Sequence, residues 1–273
     1  MPIIDRSDAT LWYEVIDLVP PWVTNAEAIL FHHGLGITAD IWSEWLPLLA
    51  DRFKLVRFDL RGFGRSSVPP PGYAWSLEDL AQDTLAIARA AGLTRFHFVG
   101  ESLGGIMSYW LAVHRPEVLL TVASVSASHR GRRIEGGIDQ WGDLVAREGM
   151  AGWSRMMMAS RFRPGALSPA AHAWFERVQA STPAHCNIEC SRMLRRMDVA
   201  DDFHRIITPM LLIVGDNSPF VPVGMVHEIK TMIQGAELQV VAGAKHGVVF
   251  SHAHQCAEVL REFIERQTKA GTD

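Results

Sequence analysis

The sequence lacks a long apolar run, a basic excess and a set of cysteines, and each absence excludes a class of protein. Because no run of about 18 apolar residues occurs, no membrane span is predicted. The net charge of -4 argues against nucleic-acid binding, which normally requires excess Lys and Arg. The N-terminal segment carries charges at Asp5, Arg6 and Asp8, so we expect no secretory signal.

The three cysteines are too few for a disulfide framework, and they predict a reducing, cytoplasmic setting. Cys186 and Cys190 are four residues apart, which suits either half a metal site or one face of a helix. We expect no metal and no cofactor. The composition, with 48% hydrophobic and 21% charged residues, is ordinary for a globular protein and excludes a disordered chain or a fibre. It leaves the oligomeric state open.

Short apolar runs alternate with longer periodic stretches, a pattern typical of an α/β fold with a mostly parallel sheet. Strands are predicted at 11–18, 28–32, 54–59, 96–99, 119–125, 210–214 and 238–241. Helices are predicted at 76–91, 103–114 and 252–266. No strand-like run occurs between 129 and 205. We therefore expect a core of residues 1–128 and 206–273, interrupted by a helical cap at 129–205.

The strongest chemical signal is the segment Gly100-Glu101-Ser102-Leu103-Gly104, which lies between a predicted strand and a predicted helix. This context is what a nucleophile elbow of the form G-x-S-x-G requires. The glycines leave room for a sharp turn, and the helix N-terminus favours developing negative charge. Ser102 is therefore the predicted nucleophile.

A serine nucleophile needs a base and an oxyanion hole. His246 follows the last predicted strand, as the base does in hydrolases with this turn. The amides of Leu103, at the helix start, and Leu35, in a glycine-containing loop, are the predicted oxyanion donors. The pair His32 and His33 could indicate a metal site, but adjacent side chains diverge and no carboxylate partner is evident.

Five segments carry a family resemblance, in this order: HHGLG, FDLRGFGRS, VGESLGG, LLIVGD and GAKHG. Over nearly its whole length the chain resembles the α/β-hydrolase superfamily. Within it the sequence is most similar to the 3-oxoadipate enol-lactonase-like esterases, as Trp42 and the segment 190–209 indicate. The resemblance implies a serine hydrolase with a helical cap over its site.

The resemblance also implies a catalytic acid, and here the chain departs from the family. The family's acid position, three residues after Gly215 and four before Pro222, is occupied by Ser218. Asp216 is the nearest carboxylate, and it could support the histidine from a shifted loop. Glu101 could serve instead. In a third hypothesis the acid comes from elsewhere or is absent, and Ser218 accepts a hydrogen bond from the histidine.

Four further residues have predicted roles that follow from the segments in which they lie. Trp141 and Trp153, in the predicted cap, either form an apolar roof over the substrate or simply pack the cap helices together. Arg130 could bind a substrate carboxylate or belong to a solvated basic turn. Asp59 ends a strand, and we expect it to tie down the turn that follows.

These observations predict a hydrolase of carboxylic esters or lactones that works through an acyl-enzyme, with a small-molecule substrate and neither nucleic acid nor membrane as partner. One alternative is a carbon–carbon bond hydrolase of a diketo acid. Another is a ligand-binding protein on a degenerate hydrolase scaffold, and a third is a cofactor-free perhydrolase. Fold alone does not choose among them.

Overall fold

The computed structural model describes residues 2–270, which form a sheet flanked by helices. The strands are β1 (Ile3–Asp5), β2 (Thr10–Ile16), β3 (Ala28–His32), β4 (Lys54–Phe58), β5 (Phe96–Glu101), β6 (Leu119–Val125), β7 (Met210–Gly215) and β8 (Glu237–Val241). They form one eight-stranded sheet in the order β1-β2-β4-β3-β5-β6-β7-β8. Only the β1–β2 and β2–β4 pairings are antiparallel. The predicted mostly parallel sheet is thus confirmed.

The sequence missed β1, which is three residues long and lies at the edge of the sheet. So short a strand carries too few residues for its alternation to be recognised. Its partner β2 covers Thr10–Ile16 rather than the predicted 11–18, and the other predicted strands agree with the structure to within two residues.

The helices are α1 (Leu46–Leu49), α2 (Leu77–Ala90), α3 (Leu103–His114), α4 (Trp141–Arg161), α5 (Pro169–Ala180), α6 (Ala184–Arg196), α7 (Val223–Met232), α8 (Val248–Ser251) and α9 (Ala253–Ala270). Ser76 caps α2, because its hydroxyl accepts a hydrogen bond from the backbone N–H of Asp79 at 3.0 Å. None of the described helices is long and apolar enough to cross a membrane.

Two apolar cores lie on opposite faces of the sheet, because successive strand residues point to opposite sides. In β3, Leu30 belongs to the core that includes α2 and α3, whereas Ile29 and Phe31 belong to the core that includes α9. All three side chains are fully buried. The central strands are covered on both faces, as their continuous apolar sequences predict.

The chain between β6 and β7 forms α4, α5 and α6, which make up an inserted helical cap. A β-bridge between Arg130 and Asp198 joins the two ends of this insertion. Its predicted boundaries at 129 and 205 stay a prediction. Helix α4 is interrupted at Gly149, whose φ of 65° and ψ of -175° are not helical.

The parallel strands bring the loops at their carboxyl ends to one edge of the sheet, where ligands bind in open α/β folds. Leu35 follows β3, Ser102 follows β5, and Ser126 follows β6. Ser218 and His246 follow β7 and β8. Chemistry-bearing residues that are distant in sequence therefore meet beneath the cap.

Candidate active site

Ser102 lies on the sharp turn between β5 and α3 with a φ of 56°, in the left-handed region that is strained for a non-glycine residue. A Cβ at Gly100 would come within 1.9 Å of the Gly104 carbonyl oxygen. A Cβ at Gly104 would come within 2.2 Å of the His32 carbonyl oxygen. Glycine is therefore required at both positions, as the elbow motif predicts.

His246 lies beside the predicted nucleophile. Its Nε2 is 3.1 Å from the Ser102 Oγ, within hydrogen-bond distance. The imidazole is 4% exposed, and it packs edge-on against Phe220 with ring centroids 4.9 Å apart. The structure thus brings together the two residues that the sequence assigns as nucleophile and base.

Ser218 is the partner of the other imidazole nitrogen. Its Oγ is 3.3 Å from His246 Nδ1 and accepts a hydrogen bond from the Val221 N–H, also at 3.3 Å. In the tautomer that catalysis needs, Nε2 accepts from Ser102, so Nδ1 carries the proton and donates to Ser218. The position that usually holds a carboxylate therefore holds a neutral acceptor.

Asp216 is not brought to His246, contrary to the hypothesis of a shifted loop. The N–H of Ser218 donates to the Gly215 carbonyl at 3.3 Å and closes a turn, with Asp216 and Asn217 at its two central positions. Both side chains are exposed, and the Asn217 amide donates to Asp216 Oδ1 at 2.5 Å. Hydrogen bonds from the Gly243 backbone and then Asn217 lower the pKa of the Asp216 carboxyl.

Glu101 lies on the nucleophile side of the imidazole. Its buried Oε1 is 3.9 Å from His246 Nε2 and 3.2 Å from the Arg161 Nη1. Burial raises the pKa of Glu101, and the adjacent Arg161 guanidinium opposes that rise. Glu101 therefore lies beside Nε2 and not beside Nδ1, which is the nitrogen that Ser218 contacts.

Arg161, the last residue of α4, connects the cap to three parts of the site. One guanidinium nitrogen pairs with Glu101, and the other donates to the Leu35 carbonyl at 2.9 Å. Its backbone carbonyl, at the end of the helix, has no partner within the helix and accepts a hydrogen bond from the Gly247 N–H at 3.0 Å. No sequence signal identifies Arg161, because an arginine in the last turn of a helix is commonplace.

The two predicted oxyanion donors both border the nucleophile turn. Leu103 is the first residue of α3, so its N–H has no partner within the helix. Leu35 is held through its carbonyl by Arg161, as described above. The imidazole of His33 accepts from the Leu60 N–H at 3.0 Å, and its Nδ1 lies 2.7 Å from the Gly34 carbonyl oxygen. The histidine pair thus shapes this loop through backbone hydrogen bonds.

Asp59 braces the neighbouring turn, as predicted. Its carboxylate accepts hydrogen bonds from the backbone N–H groups of Ala39 and Arg65, at 2.8 and 2.9 Å. It also forms an ion pair of 2.6 Å with the Arg65 guanidinium. The contacts with Arg65 hold the turn that follows the strand, and the contact with Ala39 ties that turn to the segment after β3.

Ser102 and His246 line a mainly apolar cavity of about 30 Å³. Its walls are lined by Leu35, Ile106, Ser126, Ala127, Ser128, Ile134, Ile138, Trp141, Trp153, Met157, Arg161, Leu194, Phe220 and Val221.

The aromatic side chains of the cap form two groups. Trp141 and Trp153 line the cavity and pack against each other, with ring centroids 5.5 Å apart. Trp174 instead stacks on Phe250, with centroids 5.5 Å apart, and packs the cap onto the core. The role of Trp141 and Trp153 as a roof over the substrate therefore stays a prediction, whereas Trp174 packs the cap onto the core.

Arg130 lies outside the cavity, so the geometry does not support its prediction as a carboxylate-binding residue. Its guanidinium is partly exposed and pairs with Asp198 at 3.0 Å and Asp201 at 3.7 Å. The β-bridge between Arg130 and Asp198 aligns these side chains at the base of the cap. Arg130 is therefore already neutralised on the surface.

Cys186 and Cys190 are buried on α6, as the helix-face interpretation expects. Burial raises the pKa of the Cys186 thiol to about 11. Within residues 2–270 no group of three or more His, Cys, Asp or Glu side chains is arranged to hold a metal ion.

A larger, open groove of about 920 Å³ lies between residues 72–77, the end of α3 and the cap helix α6. It contains a serine and a histidine, but Ser76 caps α2 and His114 Nδ1 lies 2.9 Å from the Trp110 carbonyl oxygen. The paired nucleophile and base therefore single out the smaller cavity as the candidate site.

The environment of His246 predicts an unusual pH dependence. Burial, followed by the nearby Arg161 charge, lowers the pKa of His246 well below 6.5. A base must be unprotonated, so a lower pKa extends activity to lower pH. We expect kcat/KM for a simple ester to stay at its plateau through about pH 6 and to fall only in more acidic buffer. Initial rates from about pH 5 to about pH 8, with folding followed by circular dichroism, test this. A half-maximal rate at or above about pH 6.5 would contradict it.

Comparison with known proteins agrees with this geometry. The family described as alpha/beta hydrolase fold matches residues 27–253. A 3-oxoadipate enol-lactonase of Acinetobacter baylyi is 25% identical over 246 residues, covering 86% of this chain and 89% of that protein. A non-heme haloperoxidase of Rhodococcus erythropolis is 26% identical over 285 residues, covering 97% and 100%. The crystal structure of an enol-lactonase from Burkholderia xenovorans superposes with a TM-score of 0.88 at 21% identity, covering 97% and 100%.

Proposed function

Since this chain belongs to the α/β-hydrolase family, we propose that it is a serine hydrolase of carboxylic esters or lactones. One observation carries the proposal: the Ser102 Oγ is 3.1 Å from His246 Nε2 at the wall of a mainly apolar cavity. The strained turn holds this hydroxyl toward the base, and the N–H of Leu103 is free at the helix start. A nucleophile, a base and an oxyanion donor are the parts that acyl transfer requires.

In the first half of the reaction, Ser102 Oγ attacks the ester carbonyl carbon and its proton passes to His246 Nε2. The carbonyl oxygen becomes an oxyanion, which the N–H groups of Leu35 and Leu103 stabilise. The bond to the leaving oxygen then breaks, and His246 gives its proton to that oxygen. This leaves an acyl group on the serine and releases an alcohol, or the ring-opened hydroxyl of a lactone.

In the second half, a water molecule attacks the acyl carbon while His246 accepts one of its protons. The tetrahedral intermediate collapses, the proton returns to Ser102 and the carboxylic acid leaves. During both steps the imidazolium is held by the Ser218 hydroxyl instead of a carboxylate. The Glu101 carboxyl oxygen Oε1 lies 3.9 Å from Nε2.

The relatives support a hydrolase of this type, since one is named an enol-lactonase and solved structures of similar fold are described as esterases. The rival hypotheses keep the same residues. A carbon–carbon bond hydrolase would release a carboxylic acid from a diketo acid and show little rate on esters. A ligand-binding protein would bind its ligand without forming an adduct at Ser102.

The test is reaction of the folded protein with a small fluorophosphonate, followed by intact-mass measurement. An activated serine displaces fluoride and forms one covalent phosphonyl adduct. We expect a single adduct on the native protein and none on Ser102→Ala, and hydrolysis of phenyl acetate to follow the same pattern. A folded native protein that remains unlabelled after prolonged incubation would contradict the proposal and favour ligand binding.

A further inference from the structure

The cavity beside Ser102 contains polar groups that the described residues leave without partners. The Ser126 Oγ and the Arg161 Nε are both buried and make no hydrogen bond within residues 2–270. Both side chains line the cavity, and they are 1% and 2% exposed. A buried polar group without a partner is costly, so such groups in a binding cavity point to a ligand that pairs with them.

Ser126 carries a second mark of function. Its φ of 50° lies in the left-handed region, which is strained for serine. Its backbone is held there because the N–H donates to the Ile213 carbonyl at 2.8 Å. Ser128 lies two residues further along the chain and lines the same cavity. Its hydroxyl donates a hydrogen bond to the Arg130 carbonyl at 2.8 Å and is therefore satisfied. The strained serine is thus the one whose hydroxyl remains available.

Arg161 determines what charge the cavity accepts. Its positive charge is already paired with Glu101 at 3.2 Å, and its second terminal nitrogen is bonded to the Leu35 carbonyl. A carboxylate on the substrate would have to lie close to Glu101 in a low-dielectric site, where two like charges repel strongly. The remaining Nε–H is therefore suited to an uncharged oxygen.

The indole nitrogens of Trp141 and Trp153, which also line the cavity, lack partners among the described residues. Trp12 and Trp42, which do not line it, are likewise unpaired. An unpaired indole is therefore not specific to the cavity, and Ser126 and Arg161 are the donors that distinguish it.

We propose that the substrate is an uncharged ester or lactone with a second hydrogen-bond acceptor, an ether or carbonyl oxygen, that binds the Ser126 hydroxyl and the Arg161 Nε–H. This inference rests on the proposed function and names its substrate class. The second oxygen satisfies two donors that an alkyl chain would leave unpaired. Buried donors left without an acceptor are a strong means of rejecting a substrate.

The test compares two phenyl esters whose acyl groups have the same number of heavy atoms. Phenyl methoxyacetate has an ether oxygen where phenyl butanoate has a methylene group. We expect Ser126→Ala to lower the ratio of their kcat/KM values about fivefold relative to the native protein. The intrinsic reactivities of the two esters cancel in this comparison. Ser126→Gly, which relieves the strained φ, should lower the ratio equally.

Ser128→Ala is the matched control, since it removes a hydroxyl that already has a partner on the same wall. We expect it to leave the ratio unchanged. A ratio that is the same in the native protein, Ser126→Ala and Ser126→Gly overturns the inference and leaves the proposed function standing. Failure of the native protein to hydrolyse either ester overturns both.

A second experiment tests whether the substrate is uncharged. Methyl phenyl succinate is a neutral diester, and phenyl hydrogen succinate carries a carboxylate at the same position. We expect the neutral ester to be preferred at least about tenfold, and Glu101→Gln to narrow that preference. Equal rates for the two esters, or a preference that Glu101→Gln leaves intact, would overturn the uncharged substrate class.

Discussion

The Ser218→Asp variant is expected to hydrolyse esters faster than the native protein, by on the order of 10² in kcat. In serine proteases, replacing the triad carboxylate by a neutral amide lowers kcat about 10⁴-fold, through the wrong tautomer and the lost charge. Here the Ser218 hydroxyl already accepts from His246 Nδ1, so the tautomer is correct and only the charge is missing. The expected gain is therefore smaller than that loss.

The same variant should change the pH profile in a defined direction. A carboxylate beside Nδ1 favours the imidazolium, so it raises the pKa of His246 from its lowered value. Because the base must be neutral to accept a proton, the acid limb of kcat/KM should then move to higher pH. Rates measured across the acid range for native protein and variant test both effects together.

Two controls separate charge from size and from position. Ser218→Asn resembles the aspartate in size but is uncharged, so we expect no gain in kcat. Asp216→Asn removes the exposed carboxylate that faces away from His246, and we expect kcat to stay within about twofold. If Asp216→Asn instead lost most of the activity while Ser218→Asp gained none, Asp216 would be the acid and the loop would rearrange during catalysis.

The second large effect is expected from Arg161→Met, which removes the guanidinium but keeps much of the apolar volume. Glu101 is then left buried without its partner, and breaking a buried ion pair in this way costs about 3–5 kcal/mol. The Leu35 carbonyl also loses its donor, so the loop that carries the proposed oxyanion donor is held less firmly. We expect a loss of kcat/KM on the order of 10², comparable to losing one oxyanion donor. Urea unfolding and steady-state kinetics measure the two effects.

The stability loss should depend on pH. Burial raises the pKa of Glu101 above its ordinary value of 4.5, and removal of Arg161 leaves that rise unopposed. A carboxyl with a raised folded pKa is better tolerated when protonated, so its contribution to stability is lost as pH rises through the folded pKa. Arg161→Met should therefore be closer to the native stability near pH 5 than near pH 8.

A double variant distinguishes the two roles of Arg161. In the double variant Arg161→Met with Glu101→Gln, neither position carries a charge, so no unpaired charge is left there. Most of the lost free energy of unfolding should therefore return. The activity should not return, since Leu35 still lacks its donor. Arg130→Met is the matched control, because the ion pairs of this arginine lie on the surface. We expect it to change the free energy of unfolding by no more than about 1 kcal/mol. Full recovery of activity in the double variant would show that Arg161 acts only by neutralising Glu101.

Sequence alone determined the parts of this protein that depend on neighbouring residues. The elbow needs glycine at 100 and 104 because backbone carbonyls crowd both positions, so a few adjacent residues reveal it. His246 was recognisable because it follows the last strand of an alternating pattern. The central strands were recognisable because burial on both faces requires continuous apolar runs. Such local constraints are visible in any sequence that satisfies them.

Only the tertiary structure decided which groups meet across long sequence distances. Glu101 and Arg161 are 60 residues apart, and their pairing depends on how the cap settles onto the core. The partner of His246 was decided by a single turn at 215–218, which turns Asp216 outward and Ser218 inward although they are two residues apart. Packing free energy, summed over many contacts, selects these arrangements, so no short segment of sequence encodes them.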